Sequence, residues 1–204
     1  DPYGASKVAA ELVARSFATV AKAKTTKGAV RTATARSGNV IGGGDWSTER
    51  LVPDCLRAFG EGKPIALRSP TAVRPWQHVL DPLGGYIRLI EELHGPDGDK
   101  YATAWNFGPD SAGELTAIEL AEMAVAAWGA PASIDPEVKF TSIPETHTLR
   151  LDSAKARAEL GWSPFWDTHT AINRTVEWHK EWMGGGPMLE TCRRQICEFM
   201  SVAR

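Results

Sequence analysis

At 204 residues, with 43% hydrophobic and 24% charged side chains, the chain is ordinary in make-up and long enough for one globular domain. A net charge of −2 and a pI of about 6.2 argue against a basic nucleic-acid footprint, and no apolar run nears the roughly 20 residues of a membrane span. Cys55, Cys192 and Cys197 form neither a CxxC nor an even framework, which fits reduced thiols in a cytoplasm.

Asp1 is no initiator Met and opens no signal-peptide pattern, so the chain reads as an internal start. Ser6 to Lys24 is alanine-rich, lacks Gly and Pro, and predicts a long helix. Val8, Leu12, Val13, Phe17, Val20 and the alanines spread over an arc wider than one core-facing stripe needs. The helix is therefore expected to pack on two sides, against its own sheet and against something else, such as a second subunit. Val30–Arg36 reads as a strand, Ser37–Arg50 as a glycine-rich loop, and about Leu51 to Gly60 as a helix. Pro64–Arg68 and Pro75–Val79 read as short strands. Asp81–His94 reads as a helix ending in the Gly95–Gly98 turn, and Ala104–Phe107 as a strand. Thr116–Trp128 follows as a helix, and Val138–Ser142 as an edge strand. Helices are then expected at Ser153–Leu160, with Gly161 at its end, and at Asp167–Met183. After the break at Gly184–Pro187, a last amphipathic helix runs to the terminus. Short strands alternating with helices argue an α/β fold with parallel strands.

The chemistry centres on Tyr3 and Lys7. Four residues apart on a helix, they share one face, and a phenol beside an ammonium is suited to accept a proton from a hydroxyl. Gly4, Ala5 and Ser6 leave room for a ligand there. Asn39 ends a strand, where ligands gather in α/β sheets, although an Asn before glycines is also a turn former. Arg74 stands between Pro70 and Pro75, and a planar guanidinium grips phosphate oxygens in bidentate fashion. The five histidines lack metal-ligand spacing, so no metal is expected. Gly42-Gly43-Gly44 opens no GxGxxG and reads as a flexible wall of a site, and there is no GxSxG. Most of the eight tryptophans read as packing, with Trp46 and Trp76 placed in loops where they could line a pocket.

Five blocks come in a fixed order: Tyr3-Gly-Ala-Ser-Lys7, Arg36-Ser-Gly-Asn-Val-Ile-Gly42, Arg74-Pro-Trp-Gln-His-Val-Leu-Asp81, Trp105-Asn-Phe-Gly-Pro109 and Leu160-Gly-Trp-Ser-Pro164. Together they resemble the extended short-chain dehydrogenase/reductase family of nucleotide-sugar enzymes. The wording Gly43-Gly-Asp-Trp46 and Arg50-Leu-Val-Pro-Asp-Cys-Leu-Arg57 is most similar to its CDP-sugar dehydratase branch. The resemblance implies the C-terminal portion of a Rossmann-type fold. Residues 1–50 would be the rest of the NAD-binding domain, and 51–204 mainly a substrate lobe with elements returning to the Rossmann core. It implies Tyr3 as active-site base and Lys7 as its partner, also holding the nicotinamide ribose of NAD, with Ser37 near the nicotinamide. It implies substrate contacts from Asn39, Arg50, Leu51, Leu67 and Arg74, with Asn106 and His147 as further candidates. The implied substrate is a nucleotide sugar, CDP-glucose first, and the implied reaction a 4,6-dehydration. A 4-epimerase, a dTDP-glucose dehydratase and a non-catalytic sugar-nucleotide-binding module stay as alternatives. The family's glycine-rich cofactor loop, catalytic Ser/Thr and dehydration acid/base pair precede the tyrosine and are not in this chain. The chain alone is thus expected neither to hold NAD well nor to turn over, and the whole protein is expected to pair through the tyrosine helix.

Overall fold

The computed structural model describes residues 2–24, 30–137 and 146–203. The edge strand expected at Val138–Ser142 lies outside them. Helix α1 spans Pro2–Lys24, and strands β1 (Thr34–Ser37) and β2 (Asn39–Ile41) follow almost without a break. Helix α2 (Leu51–Gly60) precedes β3 (Val73–His78), α3 (Leu80–His94), the short α4 (Gly98–Tyr101) and β4 (Ala104–Phe107). Strand β5 (Glu114–Thr116) leads into α5 (Ala117–Trp128), and α6 (Ala154–Leu160), α7 (Thr168–Met183) and α8 (Met188–Val202) complete the order.

The strands form two small sheets. β1 pairs in parallel with β4, and β2 pairs in parallel with β3, whose other edge carries β5 antiparallel. The chain passes from one sheet to the other at Gly38. A side chain there would run into the carbonyl oxygen of Pro75, so only a bare Cα lets the backbone cross so close to β3. Strand β2 was not legible as a strand because it is three residues long and its partner lies far along the chain. The expected strand at Pro64–Arg68 reduces to a single bridge, Ile65 to Ile134. Pro64 has no N–H to extend a ladder.

Two apolar cores result. One gathers Ile41, Val52, Leu56, Phe59, Trp76, Leu120, Ile172 and Val176 between the β2–β3 sheet and α2, α5 and α7. Helix α2 contributes Val52, Cys55, Leu56 and Phe59 at helical spacing, with Pro53 tolerated in its first turn. The other core holds Leu89, Trp105, Phe107, Ala156, Leu160 and Trp162, around β4, α3 and α6.

Helix α1 departs from expectation. It turns Gly4, Glu11, Ala14, Ala18 and Ala21 inward, while Val8, Leu12, Val13, Phe17 and Val20 are exposed. Its link to β1 is polar: Glu11 accepts from Thr34 Oγ1 (2.9 Å) and pairs with Arg36 (3.0 Å). Two paired strands offer too little surface to cover both faces of so broad an apolar arc.

Candidate active site

A cleft opens beside the tyrosine where the two sheets separate. Ser37 ends β1 on one side of Gly38, whereas Asn39, expected to end a strand, instead opens β2 on the other because Gly38 breaks the run between the two sheets; both flank the gap at the carboxyl end of β1. A cavity of about 550 Å³ opens there. Of the residues expected at the site, Tyr3, Ser37, Asn39, Arg50, Leu51, Leu67 and Arg74 line it together.

Tyr3 comes from the first turn of α1 and is exposed, with its backbone carbonyl receiving Ser6 Oγ (2.7 Å). Lys7 sits one turn on, its ammonium 5.2 Å from the centroid of the Tyr3 ring. Lys7 is not among the cavity-lining residues and reaches the site through Tyr3. Arg74 extends from β3; its Nη1 donates to the carbonyls of Val73 (2.8 Å) and His147 (3.4 Å), which aims the guanidinium. Arg50 caps the start of α2 without a side-chain cap bond, and its carbonyl accepts from Asp54 N (2.9 Å).

Asn106 and His147 lie elsewhere. Asn106, on β4, accepts from Arg36 Nε (2.8 Å) and donates to the carbonyl of Asp152 (3.0 Å), which makes it a clasp between β1, β4 and the approach to α6. The His147 ring is exposed and meets Thr148 Oγ1 (3.2 Å); its backbone carbonyl, which receives Val73 N (2.8 Å) and Arg74, is what touches the site's surroundings. Trp76 lines the cavity from inside β3, buried rather than in a loop, while Trp46 does not line it. Residues not foreseen include Asp45, Ser47 and Glu49, and also Asp54 and Arg68, which face each other at 3.8 Å with Arg68 also 3.6 Å from Glu49. The sequence signal for the last two was adjacency: Asp54 is one helical turn past Arg50, and Arg68 follows Leu67.

Residues 1–104 match the family described as NAD dependent epimerase/dehydratase. The chain belongs to that family. It is 42% identical to the CDP-glucose 4,6-dehydratase of Salmonella typhimurium, over 98% of this chain and 56% of the relative. It is 28% identical to the dTDP-glucose 4,6-dehydratase of an Actinoplanes species, over 88% of this chain and 51% of that one. The chain therefore spans about half the length of the curated relatives it matches. Among solved structures it resembles UDP-glucose 4-epimerase from Thermotoga maritima, at TM-score 0.72 and 21% identity, over 89% of this chain and 54% of that one. It also resembles a dTDP-glucose 4,6-dehydratase from Streptomyces venezuelae, at TM-score 0.67 and 25% identity, over 91% and 52%. The fold is thus the α/β Rossmann type of these epimerases and dehydratases. Among the described residues no cluster of His, Cys, Asp and Glu could hold a metal ion, and no helix is long and apolar enough to cross a membrane.

Proposed function

We propose that the full-length protein is an NAD-dependent lyase that converts CDP-glucose to CDP-4-keto-6-deoxyglucose in the cytoplasm. The observation that carries the reading is that one cavity brings Tyr3 together with Ser37, Asn39, Arg50 and Arg74. A proton acceptor and two guanidiniums in one cleft suit a sugar joined to a diphosphate. The 42% identity to a CDP-glucose 4,6-dehydratase supports that nucleotide sugar ahead of others.

Ser37, the bare Gly38 and Tyr3 line the same cavity, with Lys7 beside the phenol, and this set fits the nicotinamide-ribose end of NAD. NAD, when bound there, would supply a hydride acceptor for sugar C4 and, once water has left across C5 and C6, a hydride donor for C6. Tyr3, as phenolate, accepts the proton of the C4 hydroxyl, and the Lys7 ammonium balances the charge Tyr3 carries. Arg74 and Arg50 hold the diphosphate, Asn39 hydrogen-bonds near the glycosyl phosphate, and Leu51 and Leu67 enclose the nucleotide. His147 contributes through its carbonyl by orienting Arg74, and Asn106 by fixing β1 against β4. The three free thiols accord with a reducing compartment.

The test is product analysis on the full-length protein with CDP-glucose. Loss of one water from the nucleotide sugar, seen by mass spectrometry, is the expected outcome. Tyr3→Phe is expected to lower kcat by about 10²-fold or more while substrate still binds. A 4-epimer of unchanged mass would move the protein to the epimerases, and turnover of dTDP-glucose alone would move it to the other dehydratase branch.

A further inference from the structure

The rim of the cavity is carried by the loop from Gly42 to Arg50, and the outer side of that loop leans on α7. The Trp46 ring lies 4.3 Å from Trp182, 5.2 Å from His179 and 6.3 Å from Trp178, centroid to centroid. Gly43 lies so close to the Trp178 indole that any Cβ would overlap it, so this glycine serves a close contact between the loop and α7. Trp178 is fixed in turn from α8, its Nε1 donating to Cys192 Sγ (3.2 Å). From the other side, Arg57 Nη2 donates to the carbonyls of Trp46 (3.3 Å) and Ser47 (3.4 Å). Beyond this double anchor the chain presents Ser47, Glu49 and Arg50 to the cavity, with Glu49 in left-handed backbone (φ 62) as the chain turns into α2.

We propose that Trp46 is a positioning residue for ligand binding, through which α7 holds the loop that offers Ser47 and Arg50 to the nucleotide sugar. The proposal rests on the cavity being the nucleotide-sugar site. Its physical content is preorganisation: residues 43–50 are all exposed, and a loop left free must be ordered when ligand binds. Aromatic packing at Trp46 meets that cost during folding. Trp46 does not line the cavity, so its effect falls on affinity.

Two readouts on the full-length protein test this. Trypsin cleavage after Arg50, followed by mass spectrometry, reports loop order with no ligand present. Steady-state kinetics with CDP-glucose report the consequence for binding. Trp46→Ala is expected to speed cleavage after Arg50 about tenfold and to raise KM about tenfold, equivalent to about 1.4 kcal/mol, with kcat changed less than about twofold. Trp46→Phe restores both. Cleavage at the parental rate with unchanged KM overturns the proposal, as does a fall in kcat with KM unmoved. If Trp46→Ala does not fold, Trp46→Leu, which keeps apolar bulk without ring packing, takes its place under the same two readouts. If the parent protein does not bind CDP-glucose, the functional reading fails, whereas the anchor is still judged by cleavage after Arg50.

Discussion

Asp81 lies in the first turn of α3 with no exposed surface, its Oδ1 accepting from the backbone N–H groups of Phe165 (2.7 Å) and Trp166 (3.5 Å). Burial raises its pKa from 3.8 to about 6, against the opposing pull of those two bonds. His78, at the end of β3, is equally buried and packs edge-on against Trp166; burial, and then the charge of Arg174, lower it from 6.5 to about 4. The two act in opposite senses. Between about pH 4 and 6 folded Asp81 holds a proton the unfolded chain has released, while folded His78 lacks one the unfolded chain binds. Their contributions to the pH slope of stability cancel there. Asp81→Asn keeps an acceptor for Phe165 and removes the titration. Relative to the parent, the variant's stability is expected to rise with pH from 4 to 6. At pH 8 the variant is expected to be more stable by about 1–3 kcal/mol, because Asp81's contribution is lost as pH rises through its folded value. Urea unfolding at pH 4.5, 6.5 and 8 checks both signs; a variant weaker than the parent at pH 8 would contradict them. Cys55, fully buried, has its thiol pushed up to about 12 by burial and by Asp54, so iodoacetamide is expected to modify exposed Cys197 in the native protein and leave Cys55 unlabelled.

At the scale of elements, α5 shows how local chemistry sets a boundary that matters to the sheet. Thr116 is both the last residue of β5, opposite Val73, and the N-cap of α5. Its Oγ1 accepts from Glu119 N (3.3 Å) while the Glu119 carboxylate accepts from Thr116 N (2.7 Å), a reciprocal capping box. Thr116→Ala is expected to cost about 1 kcal/mol in chemical denaturation. The α1 helix poses the opposite case, an element whose bulky face nothing in the described chain covers. Phe17 is 71% and Val8 61% exposed, and a row of such side chains on one helix is suited to a second copy of the protein. We propose pairing through this face. Phe17→Glu in the full-length protein is expected to yield monomers by sedimentation velocity, and an unchanged profile would exclude this interface.

At the scale of the whole molecule, the two cores interleave along the chain. The pieces around β1, α3, β4 and α6 alternate in sequence with those around β2, α2, β3, α5 and α7. The site lies where the sheets part, so neither core owns it. The chain spans about half of its curated relatives, and α1 touches β1 mainly through one acidic side chain. NAD is therefore expected to wash off this chain during gel filtration and to stay with the full-length protein, as the absorbance of the protein peak would reveal.

Local chemistry alone determined much of this. The helix near Leu51–Gly60 and the strand Ala104–Phe107 were legible because each has an apolar pattern closed by glycine, and Asp167, Thr116 and Gly161 cap their helices as their residue types demand. The family resemblance grouped ten residues, of which Tyr3, Ser37, Asn39, Arg50, Leu51, Leu67 and Arg74 line one cavity while Lys7, Asn106 and His147 do not. Contacts made at long range stayed hidden. No local pattern says that Gly38 must be bare to pass Pro75, that Gly43 yields to Trp178, or that Asp54 and Arg68 meet. Nor does a helical wheel say which side of α1 faces its sheet. Periodicity and caps are properties of neighbours in sequence, whereas close approach, pairing of three-residue strands and burial of Asp81 depend on segments tens of residues apart, and only their packing decides them.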